Sequence, residues 1–174
     1  MIVWINGSFG SGKTSTAMML KNQHEKFEVF DPEETGFYIR DNLPKELLQD
    51  DFQNIHLFRM FNFEMLKYMC ENTDKIIIVP MTIVDEGYYD EIITRLRETN
   101  IKVVHFTLMA RRETLLDRLN KRDDGSFEWA SRQVDRCIEA LSKQKFENKI
   151  MTDNDRIESS VDYIMTNLKT NKYL

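Results

Sequence analysis

The chain reads as an α/β protein: a five-stranded parallel sheet with helices on both faces. Three observations predict this. Short apolar runs alternate with segments of helical period from the first residues to the last. The first apolar run passes through a glycine-rich stretch into a helical segment. At 174 residues, 41% hydrophobic and 11% aromatic, the chain suits one domain spanning 1–174 with a sizeable core. With 3 prolines and 6 glycines it offers no linker, and it has no internal repeat.

The elements follow in order. Ile2–Ile5 is a buried strand, Lys13 to about His24 a helix, and Phe27–Phe30 a second strand. Residues 32–74 exceed a simple crossover, so they are expected to form a helical insertion over one end of the sheet. Within it, residues 52–72 read as one long helix, because Phe52, Ile55, Phe58, Phe61, Met65, Leu66 and Met69 recur near helical spacing. That stripe marks core. Ile76–Val79, closed by Pro80, is the third strand, and Tyr88 to about Thr99 is helical. Ile101–Met109 is the fourth strand, and Glu113–Leu119 begins another helix. Phe127–Leu141 is a helix carrying Trp129, Val134, Cys137, Ile138 and Leu141. Lys149–Met151 is a short fifth strand, and 157–168 the last helix.

Composition excludes several classes. The chain carries 24 basic and 29 acidic side chains, a net charge of -5 and a pI near 5.3. Broad nucleic-acid binding needs a basic face, so no nucleic-acid partner is expected. Cys70 and Cys137 form no CxxC, and His24, His56 and His105 are isolated, so no zinc site is expected. The longest aliphatic run, Ile76–Val79, is far short of a membrane span, and no leader segment is visible. A reduced, cytoplasmic setting is the plain expectation.

Gly7-Ser8-Phe9-Gly10-Ser11-Gly12-Lys13-Thr14 fits GxxxxGK[ST] at every fixed position, between a strand and a helix. A triphosphate needs several donors converging on its oxygens. Backbone N–H groups supply them where glycines let the chain curl tightly. The helix that starts near Lys13 aims its positive end at the same place. Lys13 adds a charge near the β- and γ-phosphates, and Thr14 offers a hydroxyl to Mg²⁺. The fold class is therefore a P-loop NTPase fold, with ATP and Mg²⁺ as the expected cofactors. Asn120-Lys121-Arg122-Asp123 spells NKxD, the guanine-reading motif of GTPases. Here it follows an amphipathic helix and not a buried strand, and no DxxG motif exists in the chain.

Other catalytic groups lie at the strand ends. Asp31 ends the second strand. A carboxylate there either orients an acceptor hydroxyl and takes its proton, with a share in Mg²⁺ binding, or caps the helix that Asp31-Pro32-Glu33-Glu34 begins. Both roles are compatible. The third strand ends in Val79-Pro80-Met81-Thr82, without the Walker B carboxylate expected there. Thr82 reads either as a Mg²⁺ or substrate contact or as a polar strand end. Arg118 and Arg122 lie at i and i+4 on one helix face. One is placed to stack on adenine and the other to reach the transferring phosphoryl group; a solvated helix face is the alternative. Residues 118–130 form the expected lid, with Asp123-Asp124-Gly125-Ser126 at its tip. Asp153 and Asn154 follow the fifth strand, where they either pass the adenine ring or make an Asx turn. Arg40, Arg59 and Asn62, beside aromatic rings, are candidates for contacting a ring-bearing polar substrate, each also readable as structural.

Over nearly its whole length the chain resembles the ATP-binding tunicamycin-resistance family, within the small P-loop kinases typified by shikimate, gluconate and chloramphenicol kinases. The resemblance is carried by IVWINGSFGSGKT (2–14), FDPEETGF (30–37), DDFQ (50–53), VPMTIV (79–84), HFTLMA (105–110), ETLLDRL (113–119) and IMTDN (150–154). It implies an ATP-dependent role in resistance to a uridine nucleoside antibiotic. The ATP site carries over to Gly7, Gly10, Gly12, Lys13 and Thr14. Analogy with small kinases gives the strand order 2-3-1-4-5 and places the nucleotide at the carboxyl ends of the strands. Family members can carry a basic tail suited to membrane surfaces. This chain stops at Leu174, so no membrane contact is expected. Two functions follow. One is a phosphotransferase acting on a hydroxyl of a small nucleoside-like or sugar-like compound. The other is an ATP-gated binding protein that sequesters the antibiotic unmodified. The oligomeric state is not legible.

Overall fold

The computed structural model describes residues 1–122, 125–153 and 156–174. Its centre is one parallel sheet of β1 (Ile2–Gly7), β2 (Phe27–Val29), β3 (Ile76–Pro80), β4 (Val103–Met109) and β5 (Lys149–Met151). The order is β2-β3-β1-β4-β5, as expected. β1 lies between its two longest neighbours, with Ile2 opposite Ile77 on one side and Val103 on the other. Both faces of β1 are buried, which accounts for its continuous apolar run.

Alternation along the strands divides the core in two. Ile2, Trp4, Ile77 and Val79 face one layer, whose helices are α2 (Pro32–Asn42), α3 (His56–Asn72), α4 (Glu86–Tyr89), α5 (Arg95–Glu98) and, later in the chain, α7 (Phe127–Leu141). Val3, Ile5, Ile76 and Ile78 face the other layer, formed by α1 (Lys13–Lys21) and α8 (Ile157–Thr170). The remaining helix, α6 (Arg112–Asn120), packs on α7 through Leu115, Leu119, Ala130 and Val134.

Three segments differ from the sequence expectation. The long helix over 52–72 is broken: Phe52–Asn54 is a 3₁₀ turn and α3 starts at His56. The Asp51 side chain accepts from Gln53 N and starts that turn, and Ile55 is extended. The helix over 88–99 begins two residues earlier, where Asp85 accepts from Tyr88 N. Its centre, Asp90–Thr94, is a π turn joining α4 to α5. β4 starts at Val103, two residues later than read, because Asn100 turns the chain at φ 63°.

Candidate active site

β1 ends at the glycine-rich loop, and the loop is held from below. Asn6, fully buried, accepts from Gly7 N at 2.8 Å and Ile83 N at 2.9 Å, and donates to Ile83 O at 2.8 Å. Thr82 Oγ1 donates to Gly7 O at 2.8 Å. Thr82 thus clasps the end of β3 to the loop, in line with the polar strand-end reading. Asn6 was not singled out by the sequence, because Ile83, which takes two of its bonds, is 77 positions away. Its Nδ2 also approaches His105 Nε2 at 3.2 Å. Burial depresses the His105 pKa to about 3, so the ring is neutral.

The loop leaves no room for side chains at its turns. A Cβ on Gly7 would meet the Leu108 carbonyl oxygen at 2.8 Å. One on Gly10, at φ +81°, would meet that of Leu115 at 2.9 Å. Phe9 packs edge-on against Trp129 with centroids 5.0 Å apart, which ties the loop tip to α7. Cys137 of α7 lies beneath the loop with its thiol against Ser8, and burial pushes that thiol up. The buried Ser11 hydroxyl lies against Gly7, with no hydrogen-bond partner among the described residues. Thr14 is exposed on the first turn of α1, so the loop residues present fit the phosphates and metal that the motif implies.

Lys13 is buried and donates to Ser8 O at 3.0 Å. Burial lowers its pKa to about 8, opposed by the charges of Glu33 and Asp31 and reinforced by Arg122. These groups come from three separate segments and lie within electrostatic range of Lys13. Asp31 caps α2, its Oδ1 accepting from Glu33 N at 3.0 Å. Burial raises both carboxylates, that of Glu33 against the opposing pull of Lys13. Glu33 is the acidic residue the sequence reading missed. The available signal was the Asp-x-Glu spacing in the first turn of α2, which turns two carboxylates toward the lysine.

A cleft of about 230 Å³ opens beside the loop, lined by Gly10, Gly12, Thr16, Arg118, Arg122 and Arg156 among others. Arg118 and Arg122 are thus brought together. The Arg118 guanidinium is fixed by Thr152, donating to its Oγ1 at 3.2 Å and to its main-chain oxygen. This leaves a flat cationic face in the cleft. Thr152, of the IMTDN stretch, and Arg156, which was not foreseen, stand on the same walls. They follow β5 and reach the cleft only through the sheet order.

Four candidates stand elsewhere. Asp153 is engaged by Arg111 N and Thr114 Oγ1, both at 2.7 Å, which lowers its pKa and locks the β5 loop to α6. Its carboxylate is spent on these contacts, and Asp153 is not among the residues lining the cleft. Asn154 lies outside the described residues, as do Asp123 and Asp124 of the expected lid tip. Arg59 is drawn into the fold. It donates to Glu91 at 2.7 and 3.3 Å and to Gln53 O at 2.5 Å, and stacks 4.1 Å over the Tyr88 ring. Asn62 is fully buried and donates to Phe58 O in its own helix. Arg40, in the last turn of α2, lies 5.5 Å over the Phe52 ring and away from the acidic first turn.

Sheet order and glycine loop define a P-loop nucleotide-binding protein with a kinase-like fold. A family model described as an AAA domain matches residues 2–144, and the chain belongs to that family. Its structure is similar to the tunicamycin resistance protein of Deinococcus radiodurans, with TM-score 0.81 and 29% identity over 96% of this chain and 94% of that one. It shares its fold with a sugar kinase from Janibacter sp. HTCC2649 (TM-score 0.65, 19% identity, 95% and 92% covered). The same holds for shikimate kinase from Bacteroides thetaiotaomicron (TM-score 0.61, 20% identity, 97% and 98% covered). No curated protein matches the chain in sequence. Among the described residues no helix is long and apolar enough to cross a membrane.

Proposed function

We propose that the chain is an ATP-dependent phosphotransferase acting on a hydroxyl of a small nucleoside-like or sugar-like compound. One observation carries the reading: Lys13, Arg122, Asp31 and Glu33 lie within electrostatic range of one another beside the phosphate loop, two cations near two carboxylates. The cations suit the γ-phosphoryl group, and the carboxylates suit a neutral acceptor. The acceptor oxygen bonds to the γ-phosphorus as the bond to the β,γ-bridging oxygen breaks, and ADP departs. The acceptor proton passes to a carboxylate. Glu33 is placed for that role, because one oxygen of Asp31 is held by the cap.

Mg²⁺ would be held by Thr14 and the nucleotide, with Asp31 nearby, and when bound it neutralises phosphate charge. The base would lie on the Arg118 face, and residues 118–130 would close over it. The resistance protein named above makes tunicamycin the first acceptor to try.

The test is mass spectrometry of tunicamycin, and of a panel of nucleosides and sugars, after incubation with the protein and Mg-ATP. The expected product is heavier by one phosphoryl group and absent with Lys13→Ala. Glu33→Gln should keep ATP binding and lose turnover by about 10²–10⁴-fold. A second reading, ATP-gated sequestration of the antibiotic, is favoured by the Asp31 cap and the missing carboxylate after β3. Tight ATP-dependent binding of unmodified tunicamycin, with no phosphorylated product from the panel, would replace the first reading with the second.

A further inference from the structure

The exposed apolar surface of this protein is concentrated in one place. Of thirteen large hydrophobic side chains exposed among the described residues, eight lie between residues 32 and 74. The centre of the group is α3. Its buried face carries Phe58, Phe63 and Leu66 into the core. Leu57, Phe61, Met65 and Tyr68, at steps of four, four and three, form a second row that is exposed. At about 100° per residue this row lies on one side of the helix, with Glu64, Lys67 and Glu71 beyond it. A helix apolar on two faces has a partner on each, and here the fold supplies only one.

The row borders α2. Phe58, at the row's inner edge, packs on Phe52 at 4.8 Å. The Phe52 ring in turn lies against Gly36 and within 6.4 Å of Phe37. Phe37 and Tyr38 of α2 continue the surface. These six side chains are 39–68% exposed. With about 150–250 Å² for each aromatic ring, they present roughly 500–700 Å². The largest apolar patch on a typical monomer is about 300–600 Å² and is often functional, so this surface stands at the upper end of that range. A standard interface takes about 600–1,000 Å² from each partner.

The geometry points to a homodimer in which α3 packs antiparallel on α3 of a second copy of this chain. A two-fold axis near residue 63 sets Phe61 beside the partner's Met65 and Leu57 beside the partner's Tyr68. Every aromatic ring then meets an aliphatic or thioether side chain, an arrangement that is self-complementary by symmetry. The row runs about 16 Å down the helix. It leads toward the lower end of the sheet, where Cys70 Sγ of α3 meets the Met1 amino group at 3.6 Å. The nucleotide cleft opens at the upper end, beside the phosphate loop and α8, so both clefts stay free in the dimer. This inference does not depend on the proposed activity.

Sedimentation velocity from about 1 to about 100 μM, the affinity range of interfaces this size, tests it. The expected species has twice the 20.8 kDa mass of the chain. Phe61→Glu, at an exposed position, is expected to weaken association at least 100-fold with an unchanged far-ultraviolet circular dichroism spectrum, its melting temperature falling only to that of the dilute wild-type chain. Should Phe61→Glu misfold, Phe61→Cys with Met65→Cys in a Cys70→Ser chain provides a second measurement, with a covalent dimer expected on mild oxidation. A monomer at the highest concentration overturns the inference. So does a dimer indifferent to Phe61→Glu, or a monomer that floats with phosphatidylglycerol vesicles, which would assign the row to lipid.

Discussion

Replacing Lys13 with Met separates ligand binding from folding, and the structure sets the size of both effects. Burial lowers the lysine from its ordinary 10.5 to about 8. At roughly 1.4 kcal/mol per pKa unit, holding this charge in the empty loop costs about 3 kcal/mol. Removing Nζ also leaves Ser8 O without its donor, which costs about 1–2 kcal/mol and offsets part of the gain from losing the charge. Met keeps the stem packing and removes the charge, so the ligand-free variant should be more stable by about 1–2 kcal/mol. That raises its melting temperature by roughly 2–8 °C for a chain this size. Excess Mg-ATP should stabilise the wild type by about 3 kcal/mol at a hundredfold excess over Kd, and the variant not at all.

The sign with pH follows. The folded pKa lies below the unfolded one, so the unfolded chain binds more protons between pH 8 and 10.5. Wild-type stability should therefore gain a rising contribution across that window, which Lys13→Met lacks. Scanning calorimetry at pH 7 and 9, with and without Mg-ATP, measures all of this. A variant less stable than wild type without ligand would make Lys13 a structural pin and refute the reasoning. Retained stabilisation by Mg-ATP would refute it too.

Three further outcomes are expected. His105 is held neutral with a pKa near 3 against 6.5 unfolded, so stability should fall as pH drops from 6.5 toward 3, by about 3 kcal/mol at pH 4. Urea unfolding of His105→Gln at pH 7 and pH 4 should show a shallower loss, and an identical slope would count against a buried neutral ring. Asn6→Leu strips partners from Gly7 N and from both Ile83 main-chain groups, and should lower stability by about 3–5 kcal/mol in denaturant unfolding. Arg118→Ala removes the flat cation in the cleft and should weaken nucleotide binding by about 10–100-fold in calorimetric titration. Unchanged affinity would place the base elsewhere.

The part of the site legible in the sequence is the part whose chemistry is contiguous. Residues 7–14 carry their function in eight consecutive positions, because one tight turn of backbone supplies most of the donors. Arg118 and Arg122 were legible for the same reason, being one helical turn apart. Arg59 beside aromatic neighbours looked equally available. Its role turned on Glu91, 32 positions later, whose carboxylate takes two of its donors. Asp153 was assigned to the base by its place after β5, but Arg111 N and Thr114 claim it.

Alternation of apolar runs and helical periods determined the α/β class and most element positions, because burial on a sheet or helix face imposes its period on neighbouring residues. The GxxxxGK[ST] spacing pointed to phosphate as the ligand and named the residues expected to hold it. Tertiary structure alone decided that Glu33 faces Lys13, that Asn6 clasps the loop after β3, and that Arg156 shares a cleft with Arg118. Each of these joins segments of different strands. Their meeting depends on the strand order β2-β3-β1-β4-β5, a property of the packed sheet that no local run of residues encodes.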